Sequence, residues 1–308
     1  MTIDKKNKIQ VDNAVIMAAG TSSRFAPLSF EKPKSLYEVR GEILIERQIR
    51  QLKQAGINDV TVVVGYRKEQ FSYLPDKFGV DLVENPDYLK RNNNGSVWAV
   101  RERLGNTYIC SSDNYFTENP FEREVSEPYY AACYAEGETG EWCIREGPDG
   151  YIDSVTIGGR DSWYMMGHVF WDREFSRRFV RILESIYDLP ETAPLLWEAV
   201  YMNNLDSLKL KIRRYKPGII EEFDTLDDLR KFDSSYKDDA RSPIIGSISA
   251  RLGCPQSVIS DIVPVKDGSN EASGFVFSAG QRRFMYSYST GSLTPVDNEE
   301  TGEARNTT

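Results

Sequence analysis

The chain has 308 residues, of which 40% are hydrophobic and 28% are charged, a balance typical of a globular protein with a sizeable core. Its formal net charge of −9 argues against a nucleic-acid partner, because proteins that bind a phosphate backbone usually carry a basic face. No apolar run reaches the roughly 18 residues of a membrane span, and the polar N-terminus lacks the apolar core of a signal peptide. We therefore expect a cytoplasmic protein with no membrane partner.

The first third of the chain alternates short β-rich runs with helical patterns, which predicts a parallel sheet with crossover helices. The runs A-V-I-M-A-A-G, T-V-V-V-G-Y-R and Y-I-C-S-S-D-N each end in small or polar residues. Ligands of such sheets bind at the carboxyl ends of the strands, so these ends should face one cleft. Gly56 and Gly105 stand where helix C-caps are expected.

Residues 129–172 form short apolar runs broken by turn formers, notably G-P-D-G, which predicts antiparallel or mixed strands that extend the sheet and cover the cleft. Two helical patterns and a strand follow, and then a helix that begins at Thr225. These elements complete a domain that we place at residues 12–238.

After Asp239 the pattern changes to one helix and two strands, the second of which folds back around Ala279 and Gly280. This predicts a small α+β appendage at residues 239–292, followed by a polar, disordered tail at residues 293–308. The four cysteines show neither a C-x-x-C pair nor zinc spacing, so we interpret them as reduced structural thiols.

A turn of small residues, Ala18, Ala19 and Gly20, follows the first strand, and Arg24 and Lys34 come shortly after it. Small side chains allow backbone N–H groups to approach a triphosphate, and the two cations can bind its non-bridging oxygens. Alone, this segment fits a plain β-turn with surface charges as well as a nucleotide site.

Three motifs occur in the same order as in a known family: A-A-G-x-S-S-R followed by P-K, G-Y-x-x-E-Q-F from Gly65, and N-N-x-x-S from Asn92. Over about residues 14–236 the chain resembles the nucleotidyltransferases that activate sugar phosphates and phosphocholine, and most closely the bacterial phosphocholine cytidylyltransferases. The resemblance implies a Rossmann-like α/β fold with a mixed, mostly parallel sheet, and CTP as substrate. It also implies nucleotide-binding roles for Ala18, Ala19, Gly20, Asn92, Asn93 and Ser96, and catalytic contacts to the phosphates from Arg24 and Lys34.

The resemblance further implies a Mg²⁺ site at Asp113 and Asp224, which match acids of the family's D-x-D and late I-D-x-x-x-D-L motifs. Magnesium prefers one or two carboxylates together with phosphate oxygens, and a phosphomonoester acceptor needs no general base. Ser111 replaces the first acid of D-x-D, which should weaken metal binding. We expect His168, the single histidine, to be structural. Without the resemblance, the two acids fit ordinary surface loops as well.

Aromatic residues cluster in the part of the chain where the acceptor should bind. A quaternary ammonium has no N–H to donate, so a protein recognises it through aromatic faces and nearby negative charge. Each aromatic residue also fits a plain core role, and phosphoethanolamine or 2-aminoethylphosphonate remain alternative acceptors. The predicted acceptor site consists of Trp142, Tyr164, Trp197, Glu198 and Tyr201.

Residues 244–291 resemble the beginning of choline-kinase-like phosphotransferases, but no catalytic loop follows, so we expect no kinase activity. The segment is compatible with a packing or homodimerisation role. The leading hypothesis is a Mg²⁺-dependent transfer of CMP from CTP to phosphocholine. The alternatives are a sugar-1-phosphate nucleotidyltransferase and a nucleotide-binding regulatory protein without turnover.

Overall fold

The structure is a computed structural model that describes residues 8–267 and 272–296. The chain divides into two compact units. Unit 1 comprises the described residues of Met1–Gly20 and Glu42–Glu222, and unit 2 those of Thr21–Gly41 and Phe223–Thr308. Unit 2 therefore combines the predicted appendage with segments on the other side of the predicted boundary, including the one that carries Arg24 and Lys34.

The secondary structure follows the alternation predicted for the first third and becomes β-rich later. The strands are β1 (Ile9–Gln10), β2 (Asn13–Ala18), β3 (Glu38–Val39), β4 (Glu42–Ile43), β5 (Val60–Val64), β6 (Asp81–Glu84), β7 (Thr107–Ser111), β8 (Asn114–Phe116), β9 (Glu124–Val125), β10 (Tyr129–Glu146), β11 (Ile152–Trp171), β12 (Lys211–Arg214), β13 (Ile220–Glu222), β14 (Ile259–Lys266), β15 (Ala272–Ala279), β16 (Arg282–Ser287) and β17 (Leu293–Val296). The α-helices are α1 (Leu28–Glu31), α2 (Leu44–Gln54), α3 (Leu74–Phe78), α4 (Asn94–Ala99), α5 (Arg173–Ile186), α6 (Trp197–Met202), α7 (Leu226–Phe232) and α8 (Pro243–Leu252). Short 3₁₀ helices occur at Ser23–Phe25, Lys34–Leu36, Lys68–Phe71, Arg101–Arg103, Pro190–Thr192, Ser234–Tyr236 and Gln256–Val258.

Unit 1 is built on a seven-stranded sheet of order β12-β10-β11-β7-β2-β5-β6. β2 pairs in parallel with β5 and β7, and β5 pairs in parallel with β6. β11 pairs antiparallel with β7 and β10, and β10 pairs in parallel with β12. This mixed, mostly parallel sheet confirms the predicted fold class.

The central strands are apolar because both faces of the sheet are covered. Every residue of β5, V-T-V-V-V, is buried, as expected for a parallel strand with helices on both sides. α2 buries Leu44, Ile49 and Leu52. It ends at the predicted position, where Gly56 adopts a positive φ of 83° that favours glycine.

The helix predicted up to Leu104 is shorter than expected. It ends at Ala99, where the backbone turns into a 3₁₀ helix, and Arg101 Nη1 donates to the carbonyl of Trp98 at 3.0 Å. The sequence predicted Gly105 to cap an α-helix, and this prediction is wrong, because α4 ends six residues earlier, at Ala99. A Cβ there would lie 2.7 Å from Asp12 Oδ2, so close packing explains the glycine instead.

β10 and β11 form one long antiparallel hairpin, where the sequence predicted several short antiparallel or mixed strands. They are 18 and 20 residues long, and the residues of G-P-D-G join them. Register shifts interrupt the pairing at several points, including the stretch between Thr139 and Trp142. Such bulges bend a strand and redirect its side chains, and Trp142 lies beside one of them.

In unit 2, α7 begins at the predicted cap, where Thr225 and Asp228 form a reciprocal capping box. The other large element is a four-stranded sheet of order β14-β15-β16-β17, with the predicted hairpin at Ala279 and Gly280. Leu293–Val296 form the edge strand β17, so the tail predicted to be disordered begins with ordered residues instead, because they pair with β16. Residues 297–308 of that tail lie outside the described residues.

The cysteines are free thiols, as predicted, and burial raises the pKa of Cys110 well above its usual value. Within residues 8–267 and 272–296, no helix combines the length and the apolar character that a bilayer span requires.

Candidate active site

A cleft of about 210 Å³ opens in unit 1 at the carboxyl ends of β2 and β7. Met17 near the end of β2 and Ser111 at the end of β7 form part of its floor. The lining residues are Met17, Asn93, Ile109, Ser111, Asn114, Tyr130, Glu141, Trp142, Met165, Met166, Gly167, Val169, Leu196, Trp197, Glu198 and Glu222. The ends of β2 and β7 thus face this cleft, as the parallel-sheet pattern predicted, whereas no residue of the run T-V-V-V-G-Y-R, which contains most of β5, is among its lining residues.

The lining of this cleft is acidic. Glu141, Glu198 and Glu222 contribute three carboxylates, and no lysine, arginine or histidine is among the lining residues. Elsewhere, too, the part of the chain that the structure describes contains no group of three or more His, Cys, Asp or Glu side chains arranged to hold a metal ion. The three carboxylates make the lining of this cleft negative, which favours a cationic ligand.

Aromatic side chains accompany these acids. The rings of Tyr130 and Trp197 stack with centroids 5.6 Å apart and an interplanar angle of 12°. Trp142 on β10 also lines the cleft. Aromatic faces next to carboxylates are the groups that recognise a quaternary ammonium, which cannot donate a hydrogen bond.

Glu198 is positioned by two other cleft residues. Its Oε2 accepts a hydrogen bond from Asn93 Nδ2 at 3.0 Å, and its Oε1 accepts one from Tyr130 Oη at 3.3 Å. Burial raises the pKa of Glu198 to about 7, although both hydrogen bonds favour the charged form. The carboxylate is therefore close to its titration point at neutral pH.

The asparagines of the N-N-x-x-S motif connect to the segment that carries Trp197 and Glu198. Asn93 Oδ1 accepts from the backbone N–H of Trp197 at 2.7 Å. Asn92 Nδ2 donates to the carbonyl of Pro194 at 3.2 Å, and the backbone N–H of Asn92 donates to the carbonyl of Ala193 at 2.9 Å. Both side-chain amides therefore hold neighbouring protein segments in place, a role that the sequence did not predict.

The remaining nucleotide-motif residues of unit 1 lie on or next to the sheet. Ala18 and Ala19 are buried, whereas Gly20 is exposed. Apart from Gly20 and its two chain neighbours, no heavy atom of the described residues lies within 4 Å of the position that a Cβ on Gly20 would take, so the turn leaves room beside its backbone. Ser96 is buried and accepts from Asn85 Nδ2 at 3.3 Å.

Ser111 and Asp113 form a pair at the end of β7. Ser111 Oγ donates to Asp113 Oδ1 at 2.7 Å, and Gln48 Nε2 holds the carbonyl of Ser111 at 2.8 Å. The serine that replaces the expected acid therefore orients the remaining acid. Its hydroxyl adds no charge of its own.

In unit 2, Asp224 brings the two predicted phosphate-binding cations together. Its Oδ2 lies 2.6 Å from Arg24 Nη1, and its Oδ1 lies 3.7 Å from Lys34 Nζ. The side chain of Arg24 is 71% exposed and that of Lys34 is 3% exposed. Arg24 is thus free to move toward an anion, whereas Lys34 is held by its surroundings.

The predicted magnesium ligands fit such an ion only in part. Mg²⁺ typically binds one or two carboxylates and takes its other ligands from phosphate oxygens and water. Asp113 offers a carboxylate oriented by Ser111, and Asp224 offers one that is already paired with cations. The donor chemistry suits Mg²⁺ provided that substrate phosphates supply further ligands.

Two predicted acceptor residues lie outside the cleft lining. Tyr201 is fully buried in the hydrophobic core next to Phe175, with ring centroids 6.1 Å apart. Tyr164 lies on β11 opposite Cys133, and burial raises its pKa to about 12. The predicted structural role of His168 agrees with its burial, which lowers its pKa to about 3.

The sequence analysis did not select Tyr130, Glu141 and Glu222, which also line the cleft. Glu222 ends β13, which pairs with β8 so that Glu222 stands opposite Asn114. Nothing in the local sequence distinguishes Glu222 from Glu221. Glu141 is next to Trp142 in the sequence, and this was the one feature that could have indicated that Glu141 lines the cleft.

Comparisons with known proteins identify the family of this chain. The model of the MobA-like NTP transferase domain matches residues 14–144. The choline-phosphate cytidylyltransferase of Streptococcus pneumoniae is 34% identical over 226 residues, which are 73% of this chain and 99% of that protein. The 2-aminoethylphosphonate cytidylyltransferase of Lancefieldella rimae is 35% identical over 240 residues, 77% of this chain and 98% of that protein.

Solved structures give the same answer. The CTP:phosphocholine cytidylyltransferase of S. pneumoniae superposes with a TM-score of 0.70 and 35% identity, and the match covers 74% of this chain and 100% of that one. The inositol-1-phosphate CTP transferase of T. maritima shares the fold with a TM-score of 0.56 at 14% identity, over 75% of this chain and 98% of that one. The chain therefore belongs to the nucleotidyltransferase family that includes the choline-phosphate cytidylyltransferase of S. pneumoniae.

Proposed function

We propose that this protein transfers CMP from CTP to phosphocholine, which yields CDP-choline and pyrophosphate. The observation that carries the proposal is the acidic, aromatic cleft of unit 1, which has three carboxylates and no basic side chain among its lining residues. A quaternary ammonium needs this combination of aromatic faces and negative charge. Two cytidylyltransferases with amino-alkyl phosphate or phosphonate acceptors match this chain at 34% and 35% identity, which supports the same class of acceptor.

In the proposed reaction, a phosphate oxygen of phosphocholine attacks the α-phosphorus of CTP. A new P–O bond forms, the bond between the α-phosphorus and the bridging oxygen breaks, and pyrophosphate leaves with the electron pair. The acceptor phosphate is largely dianionic at neutral pH, since its second pKa is about 6. No side chain has to remove a proton, which agrees with a structure whose single histidine is buried and neutral.

The phosphates of CTP require cations that are held in position. We assign this role to Arg24 and Lys34, which both form ion pairs with Asp224. A triphosphate would compete with Asp224 for Arg24, because Arg24 is mostly exposed and can change partners. Gly20, with free space beside its backbone, would bind the nucleotide next to Ala18 and Ala19.

We further propose that Mg²⁺ binds to Asp113 and Asp224 together with the triphosphate. When bound, the ion would neutralise charge that develops on the departing pyrophosphate. Ser111 would keep Asp113 in the orientation needed for this contact through its 2.7 Å hydrogen bond. Trp142, Trp197 and Glu198 would bind the acceptor's ammonium group.

A second acceptor is supported by a specific comparison. The relative from L. rimae, whose name gives 2-aminoethylphosphonate as its acceptor, is as similar to this chain as the phosphocholine enzyme. A primary ammonium would donate hydrogen bonds to carboxylates such as Glu198 and Glu222, whereas a quaternary one would rely on the rings.

The proposal is tested by measuring pyrophosphate release from each of the four ribonucleoside triphosphates with Mg²⁺. The acceptors are phosphocholine, phosphoethanolamine, 2-aminoethylphosphonate and glucose-1-phosphate. We expect CTP with phosphocholine to give the highest kcat/KM. Preference for 2-aminoethylphosphonate would replace the acceptor but keep the enzyme class, whereas CTP binding without turnover of any pair would contradict the catalytic proposal.

A further inference from the structure

The segment that leads to Lys34 is attached to the C-terminal part of unit 2 by a ring stack. Phe30 and Tyr288 stack face to face, with centroids 3.8 Å apart and an interplanar angle of 4°. Phe30 belongs to α1, only four residues before Lys34, and Tyr288 follows β16. The appendage therefore contacts the lysine segment directly.

A second attachment involves the residue next to Phe30. Glu31 Oε1 accepts hydrogen bonds from Ser242 Oγ at 3.0 Å and from the backbone N–H of Ile244 at 2.9 Å. Both donors lie at the start of α8, where Ser242 is the N-cap. A carboxylate at a helix N-terminus satisfies donors that would otherwise lack partners, so this contact stabilises both segments.

A third attachment lies on the other side of Lys34 along the chain. The carbonyl of Glu38 accepts from Tyr236 Oη at 2.6 Å and from Arg241 Nη1 at 3.1 Å. Arg40 N–H donates to Asp233 Oδ2 at 2.8 Å. The segment with Lys34 is thus fixed on both sides, by contacts at residues 30–31 and at residues 38–40.

We infer that the C-terminal part of unit 2 is a positioning element for the phosphate-binding segment, and that the stack of Tyr288 on Phe30 is one of the contacts through which it acts. The inference rests on the proposed function, in which Arg24 and Lys34 bind the phosphates of CTP. It gives the kinase-like sequence at residues 239–292 a role that needs no kinase chemistry, because its helix and sheet supply α8 and the turn that carries Tyr288.

These attachments bear on the reaction because Lys34, which we propose binds the phosphates of CTP, is a buried cation. Its side chain is 3% exposed and lies 3.7 Å from Asp224, so its position depends on the backbone of its own segment more than on side-chain rotation. Preorganised charge contributes most to catalysis when it needs no rearrangement during the reaction. Loosening the backbone at Phe30 and Glu31 would therefore weaken the hold on the triphosphate and slow its transfer.

The inference can be tested with a matched pair of substitutions in the full chain. Tyr288→Leu removes the stack on Phe30, whereas Tyr286→Leu makes the same chemical change on β16 at a ring that packs on Phe275 and on the edge of Tyr288, with centroids 5.3 and 6.2 Å apart, and leaves the stack itself in place. The first measurement is hydrogen exchange of the peptide that covers residues 28–37. We expect faster exchange of this peptide in Tyr288→Leu and unchanged exchange in Tyr286→Leu.

The second measurement is steady-state kinetics. Tyr288→Leu should lower kcat/KM for CTP about three- to tenfold and leave KM for the acceptor within about twofold. Phe30→Leu should have the same effect, and the double variant should lose no more than either single one, because all three lack the same contact. If Tyr288→Leu does not fold, Phe30→Leu provides the same test from the other side of the stack.

The outcomes separate this inference from the proposed function. Unchanged exchange of residues 28–37 in both Tyr288→Leu and Phe30→Leu would overturn the inference even if the enzyme is fully active. So would an equal loss of kcat/KM in Tyr286→Leu and Tyr288→Leu, because that result indicates general destabilisation of the sheet. Absence of turnover in the unmodified protein would instead contradict the proposed function. Hydrogen exchange of residues 28–37 would then still test whether the stack of Tyr288 on Phe30 stabilises that segment.

Discussion

Asn93 and Glu198 are joined by a 3.0 Å hydrogen bond from Nδ2 to Oε2, and the backbone N–H of Trp197 donates to the other end of the Asn93 amide at 2.7 Å. One asparagine therefore orients the carboxylate of Glu198 and the start of α6, which both line the cleft of unit 1. The motif that contains Asn93 was predicted to bind the nucleotide, and these contacts support a second, proposed role for Asn93 toward the acceptor. The two roles make different kinetic predictions.

We expect Asn93→Ala to raise KM for phosphocholine about tenfold or more, because Glu198 loses one of the two side chains that donate hydrogen bonds to it. KM for CTP should change less. The matched control is Asn92→Ala, whose side-chain amide binds the carbonyl of Pro194 and does not contact Glu198. Initial-rate measurements with each substrate varied in turn would give both KM values. A larger increase in KM for CTP than for phosphocholine would indicate that Asn93 mainly binds the nucleotide.

Glu198→Gln should make the protein more stable and less active. Burial raises the pKa of Glu198 to about 7, so between about pH 4.5 and 7 the folded state binds more protons than the unfolded state. The contribution of Glu198 to the free energy of unfolding therefore falls as pH rises through that window. At pH 8 the buried carboxylate is charged, and its destabilising effect is complete. We expect the free energy of unfolding of Glu198→Gln to exceed that of the unmodified protein by about 1–2 kcal/mol at pH 8 and to equal it at pH 4.5.

The same variant should raise KM for phosphocholine about tenfold or more, because the cleft loses a negative charge beside the ammonium. Chemical denaturation at two pH values and kinetics on the same preparation provide both readouts. A variant that is less stable at pH 8 and retains its acceptor KM would indicate that Glu198 is a structural residue.

Substitutions at Ser111 and Asp113 test whether the incomplete acidic motif still serves the metal. Asp113→Asn should lower kcat about 10²-fold, because the amide cannot replace the charge of the carboxylate. Ser111→Ala should lower kcat less and raise the Mg²⁺ concentration needed for half-maximal rate, since only the 2.7 Å orienting hydrogen bond is lost. Magnesium titrations of the three proteins would measure this. Identical magnesium dependence in all three would exclude Asp113 as a ligand.

Periodic and local features of the sequence were sufficient to predict much of the fold. The buried run of β5, the cap at Thr225 and the hairpin at Ala279 and Gly280 each follow from short-range chemistry, and the structure contains all three. The early end of α4 at Ala99 could not be foreseen, because the helical pattern of the sequence continues to Leu104 without a glycine or proline that would mark the break.

The site was less predictable than the fold, since it depends on contacts between distant residues. Glu222 reaches the cleft only because β13 pairs with β8, more than a hundred positions earlier in the chain. Tyr201 was selected from the same helical stretch as Trp197 and Glu198, but it is fully buried in the core. A one-dimensional pattern shows that a helix is rich in aromatic residues without showing which of them face a cleft.

Trp142 provides the sharpest test of the acceptor's chemistry. It lines the cleft beside Glu141, and its ring can contact a trimethylammonium group, which a carboxylate alone recognises only by charge. Trp142→Leu keeps an apolar side chain of substantial volume but removes the aromatic face. We therefore expect KM for phosphocholine to rise about tenfold, and KM for phosphoethanolamine to change by about twofold at most. Tyr134→Leu, which alters an exposed aromatic on the same strand outside the cleft lining, is the matched control. An equal loss with both acceptors would mean that Trp142 contributes apolar packing rather than selectivity for a quaternary cation.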